Sequence, residues 1–157
     1  MHTTPATSTS YHLPANRGFT LVEMLLSIAA MSIIAGISIP LYQSFQNRND
    51  LDIATVTLAQ SMRRAGALAQ ASDGDASWGI AVATGTITLF KGGSYAARDA
   101  AYDESYAMPE NIAVAGLSEA VFAKFTGMPV GTGTTVFTSV NNETRSITLN
   151  AKGTVSY

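Results

Sequence analysis

The sequence predicts an α+β protein in which one long N-terminal helix, hydrophobic in its first half, packs on a small antiparallel β-sheet. Three observations predict it. From Met24 to Tyr42 run nineteen residues without a charge. Apolar or small residues then recur at helical spacing, at Leu51, Leu58, Met62, Ala65 and Ala69. Beyond Trp78 the pattern changes to short alternating stretches broken by Gly- and Asn-containing turns. A chain of 157 residues has room for one membrane segment and one small domain. The expected division is residues 1–18, a helix over 19–71 whose part 19–42 suits a membrane, and a β domain over 72–157.

The first segment, "MHTTPATSTSYHLPANRG", is rich in Thr, Ser and Pro and holds no apolar run. A secretory signal places its apolar core before the cleavage site. Here the apolar core follows Gly18, so a cut at that point leaves it on the protein. Arg17 is the one firm positive charge ahead of the run, and positive charge favours the cytoplasmic side. The remainder of the chain would then face outward. About twenty apolar residues span the hydrocarbon core, which makes an ionisable group at the head of such a run a functional candidate. That group is Glu23.

The helical stretch is expected to end at "SDGDAS", residues 72–77. "WGIAVATGTITLF" then sets Ile80 and Val82 against Ile87 and Leu89, a hairpin with Thr84-Gly85 at its turn. Residues 91–111 break the alternation and read as a long exposed loop. "TTVFTSVNNETRSITLNAKGTVSY" offers a second hairpin about Asn141-Asn142 and a third turn at Lys152-Gly153. Such a sheet is small for independent stability unless the long helix covers one face.

Composition excludes several function classes. Cysteine is absent, so there is neither a disulfide framework nor a thiolate metal site. Both histidines, His2 and His12, precede Gly18, so removal of that segment leaves no imidazole for base catalysis or metal binding. No paired carboxylate, phosphate-binding Gly loop or helix-borne metal pair is visible, and the expectation is a non-enzyme without cofactor or metal. Asp73 and Asp75 about Gly74 could seed a calcium loop, but five or six spaced oxygen ligands are needed, and a helix-terminating turn explains them better. Asp99, Asp103 and Glu104 lie among Tyr95, Tyr102 and Tyr106, which fits a partner contact as well as a solvated loop. Arg63-Arg64, Arg98, Lys124, Arg145 and Lys152 could bind nucleic acid. Without Arg17, however, eight basic residues face eleven acidic ones, so nucleic acid is not indicated.

The segment "RGFTLVEMLLSIAAMSIIAGISIPLYQSF" resembles the N-terminus of type IV pilins and pseudopilins. It joins a basic residue, Gly, Phe, a Glu four residues on and a long apolar run, in that order. The resemblance implies a pilin-like fold and cleavage after Gly18 by a prepilin peptidase. It implies N-methylation of Phe19 as the new N-terminus, and Glu23 as the family's assembly glutamate. Cleavage would create an α-amino group, of pKa ~8, one helical turn from Glu23. Glu23 then pairs with that amine, in its own chain or in the next. The plainer alternative is that it complements the helix dipole for ~0.3–1 kcal/mol. Pro40 matches a proline near the end of the family's membrane segment. Its missing N–H would have bonded the Gly36 carbonyl, and Gly36 is a poor helix former, so 36–40 is a weak turn. The layout "FTGMP…TTVFTS…RSITLNAKGTVSY" is also similar to the globular domain of H-type pseudopilins and related minor pilins.

The resulting expectation is a structural subunit, held in the cytoplasmic membrane and then polymerised into a surface filament. Its partners would be copies of itself or other pilins, the prepilin peptidase, the inner-membrane assembly platform and the membrane. Two alternatives stand beside it. One is a minor pilin or pseudopilin of a type II secretion or DNA-uptake system, in the periplasm. The other is a membrane-anchored binding module that never polymerises.

Overall fold

A computed structural model describes residues 18–157, the side chains of 38–41 excepted. Residues 1–17, with Arg17 and both histidines, lie outside the described residues. Two compact units divide at Ile39/Pro40. Helix α1 (Leu21–Gln70) contributes to both, and each unit is described by itself.

In the first unit, α1 is apolar on every face and its described side chains are exposed. Leu21, Val22, Leu26, Met31, Ile33 and Ile34 are 66–75% exposed. A helix hydrophobic all round belongs in a membrane or inside an assembly, not in water. Its best 18-residue window has a mean hydropathy of 2.1, long and apolar enough to cross a bilayer. The Ser27 and Ser32 hydroxyls donate to the carbonyls of Glu23 and Ile28, each at 2.8 Å, so these polar groups are satisfied within the helix.

In the second unit, α1 turns one face inward. Leu51, Ala54, Leu58, Ala59, Met62, Ala65 and Ala69 are buried, which includes all five positions marked by the helical spacing. This face joins a single core with residues of eight strands' worth of β structure, among them Ile80, Leu89, Phe122, Phe137 and Ile147. The strands are β1 (Trp78–Ala83), β2 (Thr86–Lys91), β3 (Asp99–Ala107), β4 (Ala113–Gly116), β5 (Glu119–Phe122), β6 (Gly133–Thr138), β7 (Thr144–Leu149) and β8 (Val155–Ser156). All pairings are antiparallel.

The three expected turns form where the turn residues stand. Gly85, at φ 80°, closes β1–β2, Asn142, at φ 60°, closes β6–β7, and Gly153, at φ 76°, closes β7–β8. Two expectations are corrected. The strands make two four-stranded sheets, β3-β2-β1-β5 and β4-β6-β7-β8, in place of one. Residues 91–111 also do not form one exposed loop, because Asp99–Ala107 is the edge strand β3. Its register on β2 runs from Thr86↔Ala107 to Leu89↔Glu104 and then shifts to Lys91↔Asp99. Every β3 side chain is exposed or half-buried, so no apolar alternation marks it, and backbone pairing to β2 holds it in place.

The chain leaves one sheet for the other just after Gly116. That residue has φ +86°, and a Cβ there would fall on the Thr134 carbonyl oxygen, a backbone atom that cannot move aside. Gly116→Ala is therefore expected to cost about 2 kcal/mol or more, combining left-handed strain with the clash. Thermal unfolding of the detergent-solubilised protein checks this; an unchanged midpoint would show that the crossover is slack.

Candidate functional site: the N-terminal segment

The chemistry expected of this chain gathers at the start of α1. Gly18 is exposed, with open space around it, and Phe19 is 78% exposed. Both precede the helix, as a cleavage site must if a peptidase is to draw the backbone into an extended form. Helix α1 begins at Leu21, which makes Thr20 the N-cap and Glu23 the third helical residue. The Glu23 N–H donates to Thr20 Oγ1 at 3.2 Å, and the Met24 N–H donates to the Thr20 carbonyl, also at 3.2 Å. Sequence reasoning missed Thr20, although Thr-x-x-Glu ahead of an apolar run signals such a cap.

The Glu23 carboxylate has neither hydrogen bond nor ion pair among the described residues. It sits in the first turn of α1, at the positive end of the helix dipole, with apolar side chains on all sides of the helix. Phe19 stands one residue outside the cap. A positive group there would not share a helical face with Glu23. Gly36 and Pro40 are both within helical backbone. The described residues contain no group of three His, Cys, Asp or Glu side chains placed to hold a metal.

In the second unit, the charged residues singled out from sequence are largely tied to one another. Arg64 meets Glu104 at 2.6 Å, Arg98 meets Asp103 at 2.7 Å, Arg48 meets Glu143 at 3.0 Å and Arg145 meets Asp52 at 3.1 Å. Lys124 pairs with Asp75, and its hydrogen bond and charge hold the Asp75 carboxyl below the usual carboxylate range. Asp73 offers its backbone carbonyl to Trp78 Nε1 at 2.9 Å. Five of the basic residues, Arg48, Arg64, Arg98, Lys124 and Arg145, are thus dispersed into separate pairs.

The tyrosines are anchored too. Arg98 lies over the Tyr95 ring at 3.8 Å, and Lys91 lies over Tyr102 at 4.1 Å. The Tyr106 hydroxyl donates to Glu104 Oε2 at 2.9 Å, and Arg64 Nη1 donates to it at 3.4 Å. Burial, then the Glu104 carboxylate, pushes the Tyr106 phenol above its ordinary value of 10.0. An acid whose folded pKa is raised stabilises the fold below its unfolded value and loses that contribution as pH rises through the folded one. Stability should therefore fall above about pH 10, and less so in Tyr106→Phe. Urea unfolding across that range measures it; identical slopes for the two proteins would remove Tyr106 as the cause.

Residues 13–39 match the family model described as the prokaryotic N-terminal methylation motif. No curated protein and no solved structure matches the chain. With the motif, the exposed apolar helix and the α+β fold together, the chain carries the class III signal of type IV pilins and pseudopilins, a substrate segment for prepilin peptidase. The motif takes in Gly18, Phe19 and Glu23 and the apolar first part of α1, a segment long and apolar enough to cross a membrane. The match stops at Ile39, so the likeness of the β domain to H-type pseudopilins rests on its strand and turn layout alone.

Proposed function

We propose that this protein is a structural pilin subunit, cleaved between Gly18 and Phe19, N-methylated on Phe19 and polymerised through the apolar first part of α1 into a type IV pilus. One observation carries the reading: the first part of α1, exposed and apolar on every face, bears a single carboxylate, Glu23, with no partner among the described residues. Thr20 caps the first turn, so Glu23 is not needed for that task. A neighbouring subunit's Phe19 amine is a partner of the right charge, and their union sets the axial step as the helices bundle. Burial of the apolar faces against like helices supplies cohesion once the helix leaves the lipid. Pro40 leaves the Gly36 carbonyl without its helical donor, and this turn is where α1 yields when copies pack.

The layout of the β domain favours a second reading, a minor pilin or pseudopilin in a shorter filament. Mass spectrometry of material sheared from the cell surface separates the readings. An abundant chain beginning at methylated Phe19 is the expected result. Recovery of the processed chain only from the cell envelope would favour the pseudopilin. A chain retained in the membrane with residues 1–18 attached would leave an anchored module and end the polymer reading.

A further inference from the structure

Five cations of the second unit, Arg48, Arg64, Arg98, Lys124 and Arg145, are held in ion pairs, and Lys91 stands over Tyr102. Arg63 and Lys152 have no carboxylate partner among the described residues. They come together nonetheless. Both line one groove of about 400 Å³, with Gln70 and Met128. Arg63 comes from α1, and Lys152 from the tight β7–β8 turn, where its N–H is tied to Asn150 Oδ1 at 2.9 Å.

An apolar rim borders this groove. Met128 is 55% exposed, and Phe125, on the same loop, is 69% exposed. Phe125 has φ 70°, a conformation costly for a bulky residue, and its N–H is held by the Ala69 carbonyl at 3.0 Å. The backbone is thus strained while the ring it carries stays largely exposed, with Lys124 Nζ over one face at 4.5 Å.

A second groove, of about 530 Å³, has the opposite character. Asp50, Asn47, Asn111 and Val140 line it, and Val140 is 65% exposed. Asp50 receives only a long amide contact, 3.4 Å from Asn111 Nδ2. Glu110, adjacent in the chain to Asn111, is exposed and makes no ion pair among the described residues. Asp50 and Arg63 are thirteen residues apart on α1, about 20 Å along the axis and about 140° around it.

We infer that these are two complementary ends through which successive copies of this chain join head to tail. Arg63 and Lys152 of one copy meet Asp50 and Glu110 of the next, while Met128 and Phe125 cover Val140. This rests on the reading of the chain as a filament subunit and adds a contact between globular units to it. Charge complementarity selects a second copy as the occupant, since each groove offers what the other lacks. Because the two surfaces differ and lie on different faces, the contact is heterologous and propagates as an open helix without closing into a dimer.

The test is charge reversal in the full-length protein, scored by the yield of sheared filaments. Arg63→Glu with Lys152→Glu, or Asp50→Lys with Glu110→Lys, should each lower the yield about tenfold or more through like-charge contact. All four together should restore it. The chain has no cysteine, so co-expressed Glu110→Cys and Lys152→Cys copies should form a disulfide only with each other. Normal yields in every reversal and no such disulfide overturn the contact and leave the filament reading standing. Loss on reversing Arg63 and Lys152 that the fourfold variant fails to restore overturns it in favour of another anionic partner. If the unsubstituted chain forms no filament while Phe19 remains uncleaved, the filament reading itself has failed and the contact falls with it.

Discussion

Glu23→Ala is expected to leave cleavage after Gly18 intact and to abolish filaments. The carboxylate stands among apolar side chains with no partner among the described residues, while Thr20 already holds the first turn. If Glu23 were only a dipole complement, its loss would cost ~0.3–1 kcal/mol and an anchored protein would be unaffected. Removing it would even ease the helix into lipid, since an ionised side chain in a membrane is costly. In a filament the consequence is opposite. The amine of the adjacent subunit would be buried without a counter-charge, and breaking such a pair costs ~3–5 kcal/mol at every contact. Filament yield should drop about a hundredfold or more, with processed protein accumulating in the membrane. Glu23→Gln keeps a hydrogen-bond acceptor and should fall between. Wild-type filament yield from Glu23→Ala would assign the residue to the helix dipole alone.

The second large effect lies in the globular unit, at Leu58. This side chain is fully buried in the core that α1 shares with the two sheets. Leu58→Ala removes its contacts and leaves a cavity that a helix backbone cannot collapse to fill, at a cost of ~2–5 kcal/mol. Small domains have ~5–15 kcal/mol in total, so the unit would lose a large share of its stability. Ile53, five residues earlier on α1 and 46% exposed, provides the control, and Ile53→Ala should change stability by about 0.5 kcal/mol or less. Thermal unfolding of both proteins in detergent decides it. Equal shifts would mean that the helix face is not the core.

The N-terminal motif was legible in the sequence because its pattern is local. Gly18, Phe19 and Glu23 lie within six residues, and the apolar run that gives the carboxylate its meaning follows directly. The buried face of α1 was legible for a related reason: a helix repeats every 3.6 residues, so Leu51, Leu58, Met62, Ala65 and Ala69 declare one side whatever packs against it. The same holds for the turns at Gly85, Asn142 and Gly153, where short-range backbone sterics select the residue. Thr20 carried an equally local signal that the apolar run beside it obscured.

Strand β3 carried no such mark. An edge strand with exposed tyrosines and aspartates has no buried face to impose a period, and only the backbone of β2 makes it a strand. The split into two sheets was hidden likewise, since it depends on which strands meet in space, β1 with β5 and β4 with β6. Charge pairing was the least readable of all. Arg48 finds Glu143, and Arg145 finds Asp52, across more than ninety residues of chain. Which cations are neutralised, and that Arg63 and Lys152 are left to share a groove, follows from where the strands place them. The sequence by itself determined the segment that is apolar and long enough to cross a membrane and the helix face that enters the core, because both are set by neighbours along the chain. Only the tertiary structure decided the sheets, the ion pairs and the two unmatched grooves, because each depends on residues that meet in space and nowhere in sequence.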